Sequence, residues 1–251
     1  MIVAAHGWPG WSLLGLIVGC MVFARTAAMS FNRIVDWEID QRNPRTAHRH
    51  QLLKKREAIF FSAGSSILFL ITAWRINPPC AFLAPVALII IFFYSLTKRF
   101  THFAPFFLGL ALAISPLGSW IAVQGTLSLA PLILALGVLC WVAGFDIIYA
   151  TQDEDIDRQE GLYSMVVLLG VTRALTLAKW LHFLLFVFLI AFGIMSQQHR
   201  GYYFFLAPVL LLLFYEHKIA ATLQVSLLNR AFFQTNALLG FLFLIATYAG
   251  L

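Results

Sequence analysis

An all-α, polytopic bundle of transmembrane helices is the fold this sequence predicts, and three observations predict it. Hydrophobic residues make up 61% of the 251 positions and charged residues only 11%, more apolar surface than a water-soluble domain of this size could cover. The apolar residues fall into runs close to the roughly twenty needed to cross a bilayer. Those runs are continuously apolar, whereas the strands of a membrane barrel would alternate.

Eight runs qualify, in one membrane-embedded domain covering 1–251. The first, 11–31, leads directly into the polar stretch FNRIVDWEIDQRNPRTAHR. The second and third, 57–75 and 80–97, are joined by a short link, and the third stops at Lys98 and Arg99. The fourth is 104–123; the fifth, 129–150, runs into YATQDEDIDRQEGLYS. The last three are 172–195, 202–222 and 231–250. The opening MIVAAHGWPGW carries no basic start ahead of a short apolar core, so no cleavable signal peptide is expected.

Lysine and arginine set the expected orientation. The loops after the first, third, fifth and seventh runs hold most of them, whereas the opposite loops hold only Arg75 and Arg200. The positive-inside rule then puts the first set in the cytoplasm, as expected of an integral protein of the inner (plasma) membrane. The net charge of +6 suits contact with anionic lipid headgroups and calls for no nucleic-acid partner. Cys20, Cys80 and Cys140 lie in separate runs and are read as small apolar residues. His48 and His50 lack partners at zinc-ligand spacing.

Eight of the eleven acidic residues fall in two of the cytoplasmic loops: Asp36, Glu38 and Asp40 in the first, Asp153, Glu154, Asp155, Asp157 and Glu160 in the second. In both, aspartates recur at i and i+4, which on a helical end sets two carboxylates on one face. Like charges so placed repel, and a divalent cation bound to oxygens offsets the cost. Magnesium takes few carboxylates and completes its shell with water and phosphate oxygens, so two facing clusters could hold a diphosphate between metals. Lys98, Arg99, Arg42, Arg45 and Arg49 could neutralise its remaining charge. Ordinary solvated loops are the alternative. Arg25 and Asp146 lie inside predicted spans, each seven residues before a motif residue, Asn32 and Asp153 respectively. Each is expected to face a polar cavity, unless the helix boundary is a turn off and the side chain reaches the headgroups.

With these residues in view the chain resembles the UbiA superfamily of intramembrane aromatic prenyltransferases. Asn32, Asp36 and Asp40, followed by Arg45, Thr46 and Ala47, match the first motif of that family. Tyr149, Ala150, Asp153, Asp155, Asp157, Gly161 and Ser164 match the second, and YSLTKRFTHFAPFFLG at 94–109 resembles the pattern between them. ARTAAMSFNR and GFDIIYA look closest to the bacterial 4-hydroxybenzoate polyprenyltransferase-like enzymes, many assigned to the futalosine route to menaquinone. The resemblance implies Mg2+ as cofactor, with a polyprenyl diphosphate and an aromatic acid as substrates, in ubiquinone or menaquinone biosynthesis. It implies that Asp36, Asp40, Asp153 and Asp157, with Asn32, hold the metal and diphosphate and that Lys98 and Arg99 contact the diphosphate; Arg45 and Arg49, by their charge, and the motif residue Tyr149 join the expected diphosphate site. By the same resemblance Arg25 would receive the acceptor's carboxylate; Asp146, from its place within a span, is expected to act as base or hydrogen-bond acceptor toward the acceptor's hydroxyl.

The sequence departs from the family at His50, Tyr163 and Pro105, which bears on the acceptor and leaves the metal chemistry intact. Members have nine helices with the first motif after the second, so the eight runs correspond to a pattern whose opening helix is absent. Rival readings are a haem- or chlorophyll-type prenyltransferase, a non-catalytic remnant, and a transporter. The transporter predicts interrupted helices, and Pro85, Pro116 and Pro208 lie within spans.

Overall fold

The computed structural model describes residues 1–42, 46 and 52–251, apart from the side chains of 225–232. In chain order the helices are α1 (Trp11–Val35), α2 (Trp37–Arg42), α3 (Lys55–Ile76), α4 (Pro78–Leu96), α5 (Ala104–Gln124), α6 (Leu129–Ala150), α7 (Glu154–Gln159), α8 (Met165–Leu169), α9 (Val171–Met195), α10 (Arg200–Ala220) and α11 (Val225–Ala249), with a 3-10 turn at Thr97–Arg99. No strand occurs among the described residues. Seven of the long helices are long and apolar enough to cross a bilayer, and α11 adds the apolar stretch Phe233–Ala249. The eight expected spans are therefore all present as helices.

The helices outrun the apolar stretches at two places. α1 continues to Val35 through Asn32 and Arg33, and α11 begins at Val225, ahead of Asn229 and Arg230. Hydropathy marks what sits in hydrocarbon, whereas helical hydrogen bonding extends into the interface. The short helices α2, α7 and α8 lie in segments read from sequence as loops.

Neighbouring long helices pack side by side in the order α1, α3, α4, α5, α6, α9, α10 and α11; α1 also touches α4 and α5, and α11 returns to α6. The main core lies in the second half, where Ile147 of α6, Leu185 and Phe192 of α9, Tyr202 and Val209 of α10 and Ala246 of α11 are almost fully buried. Tyr202 donates its hydroxyl to the Leu189 carbonyl at 2.7 Å, so its polar tip is satisfied in the apolar interior. Outward faces carry bare apolar side chains, among them Phe60, Phe82, Ile89, Phe204 and Leu211. Water would penalise this surface heavily; lipid tails do not.

Turn chemistry fixes both ends of the bundle. Asn77 accepts from the Cys80 N–H at 2.8 Å, capping α4 ahead of Pro78 and Pro79, and donates to the Ile121 carbonyl near the end of α5 at 2.9 Å. At the opposite end α1, α4 and α6 bring their C-termini together. α4, α5 and α10 run unbroken through Pro85, Pro116 and Pro208, so these prolines do not produce the interrupted helices a transporter would use.

Gly109 allows α5 to approach α6 closely: a Cβ there would lie 2.6 Å from the Leu139 carbonyl oxygen. Gly118, on the same helix, has open space around it. Gly109→Ala is expected to lower Tm in detergent, with a cost of about 1–3 kcal/mol, whereas Gly118→Ala should leave Tm unchanged or raise it. Equal Tm values for the two variants would contradict the close-approach account.

Candidate active site

The first acid set grows out of α1. The Asp36 N–H donates to the Asn32 carbonyl at 2.9 Å and the Asp40 N–H to the Asp36 carbonyl at 2.8 Å. The turn therefore carries on from α1 into α2, and Asp36 and Asp40 stay one turn apart as their i, i+4 spacing requires. Arg33 closes on Asp40 with Nη1 2.8 Å from Oδ2. Burial raises the Asp36 carboxyl to about 6; Asp40 pushes the same way, while Lys98, Arg99 and Arg33 oppose it. Asp36 thus lacks enough cationic charge around it to offset its burial fully.

The second set follows α6 in the same manner. The Asp153 N–H donates to the Ala150 carbonyl at 3.0 Å, and the Asp157 N–H to the Asp153 carbonyl at 2.8 Å. Asp153 and Asp157 are 7% and 3% exposed, a burial that carboxylates accept only with cationic or hydrogen-bonded company.

Lys98 is what the two sets have in common. It sits in the 3-10 turn, preceded by the buried Thr97, whose hydroxyl donates to the Tyr94 carbonyl at 2.6 Å. Its ammonium acts on Asp36 of the first set and on Asp157 and Asp153 of the second, as well as on Asp146 and Tyr94. The turn is tied to both sides. Arg99 Nη2 donates to the Val35 carbonyl at the end of α1 at 2.6 Å, and the Tyr163 N–H donates to the Lys98 carbonyl at 2.8 Å. His102 and Tyr163 stack edge to face, 4.8 Å between ring centroids. A direct bridge joins the acid-bearing segments: Arg42 Nη1 lies 2.8 Å from Glu160 Oε2.

The remaining expected residues fall as follows. Asp146 and Tyr149 are half-buried on the last turns of α6, with Asp146 acting on Lys98. Asn32 is half-buried one turn before Asp36. Arg25 is exposed on α1, seven residues before Asn32, and among the described residues it makes no hydrogen bond or ion pair. Arg45 and Arg49, like His48 and His50, lie outside the described residues.

Sequence reasoning passed over three participants. Tyr94 is one helical turn before Lys98, a spacing that could have paired them. Glu160, the partner of Arg42, is 118 residues from it and no local pattern reveals the pair. Gln152, beside Asp153, has both amide atoms buried with no hydrogen-bond partner among the described residues, as a group awaiting a polar ligand would.

As to a metal, no group of three or more His, Cys, Asp or Glu side chains forms a ready cage among the described residues. Carboxylates instead come in ones and twos from separate segments within reach of Lys98. Such hard oxygen donors fit Mg2+, which keeps water and phosphate oxygens in its shell, better than zinc, which prefers a closed set of nitrogen and sulfur ligands.

The chain is similar to known proteins in both sequence and fold. A 4-hydroxybenzoate octaprenyltransferase of Vibrio parahaemolyticus serotype O3:K6 is 28% identical over 94% of this chain and 84% of its own. A solved UbiA homolog from Aeropyrum pernix K1 in its apo form superimposes with a TM-score of 0.85 at 28% identity, covering 94% of this chain and 90% of that one. A UbiA homolog from Archaeoglobus fulgidus, solved bound to GPP and Mg2+, shares the fold with a TM-score of 0.68 at 18% identity over 98% and 92% of the two chains. Residues 1–245 match the UbiA prenyltransferase family as a whole, and the chain belongs to that family: it is an integral membrane prenyltransferase.

Proposed function

We propose that this enzyme transfers a polyprenyl group from a polyprenyl diphosphate to a carboxylated aromatic acceptor, 4-hydroxybenzoate or a dihydroxynaphthoate, with Mg2+, in ubiquinone or menaquinone biosynthesis. The observation that carries the reading is that Lys98 lies within electrostatic reach of Asp36 of the first acid set and of Asp153 and Asp157 of the second. Carboxylates interleaved with Lys98, Arg99 and Arg33 make a mixed-charge mouth suited to a metal-bound diphosphate. The Vibrio relative's name supports the acceptor, and the GPP and Mg2+ bound to the Archaeoglobus protein support the donor and the metal.

Asp36, Asp40, Asp153 and Asp157 would hold Mg2+, which when bound would neutralise negative charge on the diphosphate. Lys98 and Arg99 stabilise the charge that gathers on the diphosphate as the allylic C–O bond breaks. Arg45 and Arg49 are assigned to the diphosphate by their place in the sequence motif alone, and Asn32, Gln152 and Tyr149 offer hydrogen bonds to phosphate oxygens. The apolar bundle shields the allylic cation from water until a ring carbon of the acceptor attacks it. Arg25 fixes the acceptor by its carboxylate, about 10 Å along α1 from Asn32. Asp146 takes the proton of the acceptor hydroxyl, raising the ring's electron density; a new C–C bond then forms, the ring proton passes to the released diphosphate, and Asp146 returns its proton to the acceptor oxygen. The enzyme sits in the inner membrane among anionic lipids with both acid sets toward the cytoplasm, an orientation supported by the lysines and arginines of those loops.

In reconstituted membranes, Asp36→Ala and Asp153→Ala should each remove Mg2+-dependent prenyl transfer while the protein still inserts; turnover at the parent rate in either would exclude the metal assignment. For Lys98→Ala the expected loss is in kcat, by about 100- to 1,000-fold, and an unchanged kcat would remove Lys98 from the chemistry. Arg25→Ala should raise KM for the carboxylated acceptor about 10- to 100-fold with KM for the prenyl diphosphate unchanged. Equal rises in both constants would separate Arg25 from the acceptor.

A further inference from the structure

A second set of ionisable side chains lies inside the bundle, behind α6 and apart from the carboxylates around Lys98. His182 of α9 and Glu216 of α10 are each 2% exposed. His182 Nε2 is 3.2 Å from the Trp141 carbonyl oxygen on α6. A carbonyl can only accept, so Nε2 carries the hydrogen and Nδ1 is left with a bare lone pair. That lone pair faces Glu216 Oε2 at 3.8 Å. Neither atom has a hydrogen-bond partner among the described residues. At 3.8 Å the two acceptors are not yet hydrogen-bonded; a proton carried by Glu216 and turned toward Nδ1 joins them after a small side-chain movement, and a neutral acid with a neutral imidazole avoids burying two charges. The His217 ring lies 4.9 Å from that of His182, with both nitrogens buried and unpartnered among the described residues, and Lys179 of α9 is near enough to act on His217.

Around Trp141 these contacts form a cradle. Its carbonyl takes His182, and its indole N–H donates to Asn236 Oδ1 of α11 at 2.8 Å. Gly144 completes the seat, since a Cβ there would collide with the His182 ring. Asp146 follows Trp141 by five residues, about 140° further round α6.

We infer that Glu216 and His182 share one proton within the membrane and, by holding the Trp141 carbonyl, fix the depth and rotation of α6, so that both are positioning residues for Asp146 and Asp153. The kinetic part rests on the function proposed above; the shared proton does not.

The full chain in lipid vesicles tests both parts. Infrared spectra at neutral pH should show the carbonyl band of an un-ionised carboxylic acid that disappears in Glu216→Gln. The absence of any such Glu216-dependent band overturns the shared proton. In steady-state assays Glu216→Gln, whose amide can donate to His182 Nδ1, should keep kcat within about threefold of the parent. Glu216→Leu and Gly144→Ala, which strip the donor and displace the ring respectively, should lower kcat about 10- to 100-fold with KM for prenyl diphosphate unchanged. Parent-like kcat in both of these variants overturns the positioning role. A parent protein without prenyl transfer defeats the proposed function and leaves the infrared result standing.

Discussion

A single ammonium group placed among carboxylates from two distant parts of the chain is the interaction on which the polar end of this molecule depends. Without Lys98, Asp153 and Asp157 would lose a cationic neighbour that helps make their burial tolerable, and Asp36 would lose its principal cationic neighbour. Without the carboxylates, the lysine would be a cation at the edge of hydrocarbon with little to hold it. The balance remains incomplete, since burial pushes the Asp36 carboxyl up further than its cationic neighbours pull it down. That incompleteness suits a site whose proposed occupants, a divalent cation and a diphosphate, bring charges of both signs.

The rest of the fold keeps that group in place. The 3-10 turn is fastened to α1 through Arg99 and to the second acid segment through the Tyr163 N–H, so displacing any one of the three strains the other two. Arg42 and Glu160 add an exposed tie, worth little as an isolated pair yet useful for registering two short helices. Behind α6, polar contacts from α9 and α11 converge on Trp141 in surroundings where hydrogen bonds are scarce. The apolar packing of α6, α9, α10 and α11 supplies the stiffness; the few polar contacts supply the register.

Much of this was legible in the sequence because membrane helices announce themselves by length and hydropathy. The runs at 104–123 and 129–150 became Ala104–Gln124 and Leu129–Ala150. The i, i+4 aspartates were legible as well, because local helical geometry alone decides where they lie. Three kinds of feature were hidden. Helical turns that continue into the polar interface, such as Asn32 to Asp36, carry no hydropathy signal. Pairs far apart in sequence, such as Arg42 with Glu160 or Asn77 with Ile121, depend on how the bundle closes. The His182–Glu216 contact reads as two stray polar residues in apolar helices until α9 and α10 are side by side.

The central claim is that the two acid sets act on one ligand. A double-mutant cycle tests it directly: affinity for a non-ionisable prenyl thiodiphosphate with Mg2+ is measured for the parent, Asp36→Asn, Asp157→Asn and the double variant. If one diphosphate is gripped from both sides, the two losses are coupled and depart from additivity by at least about 0.5 kcal/mol. Strictly additive losses would mean that the two carboxylates serve separate sites, and the shared diphosphate grip would be wrong.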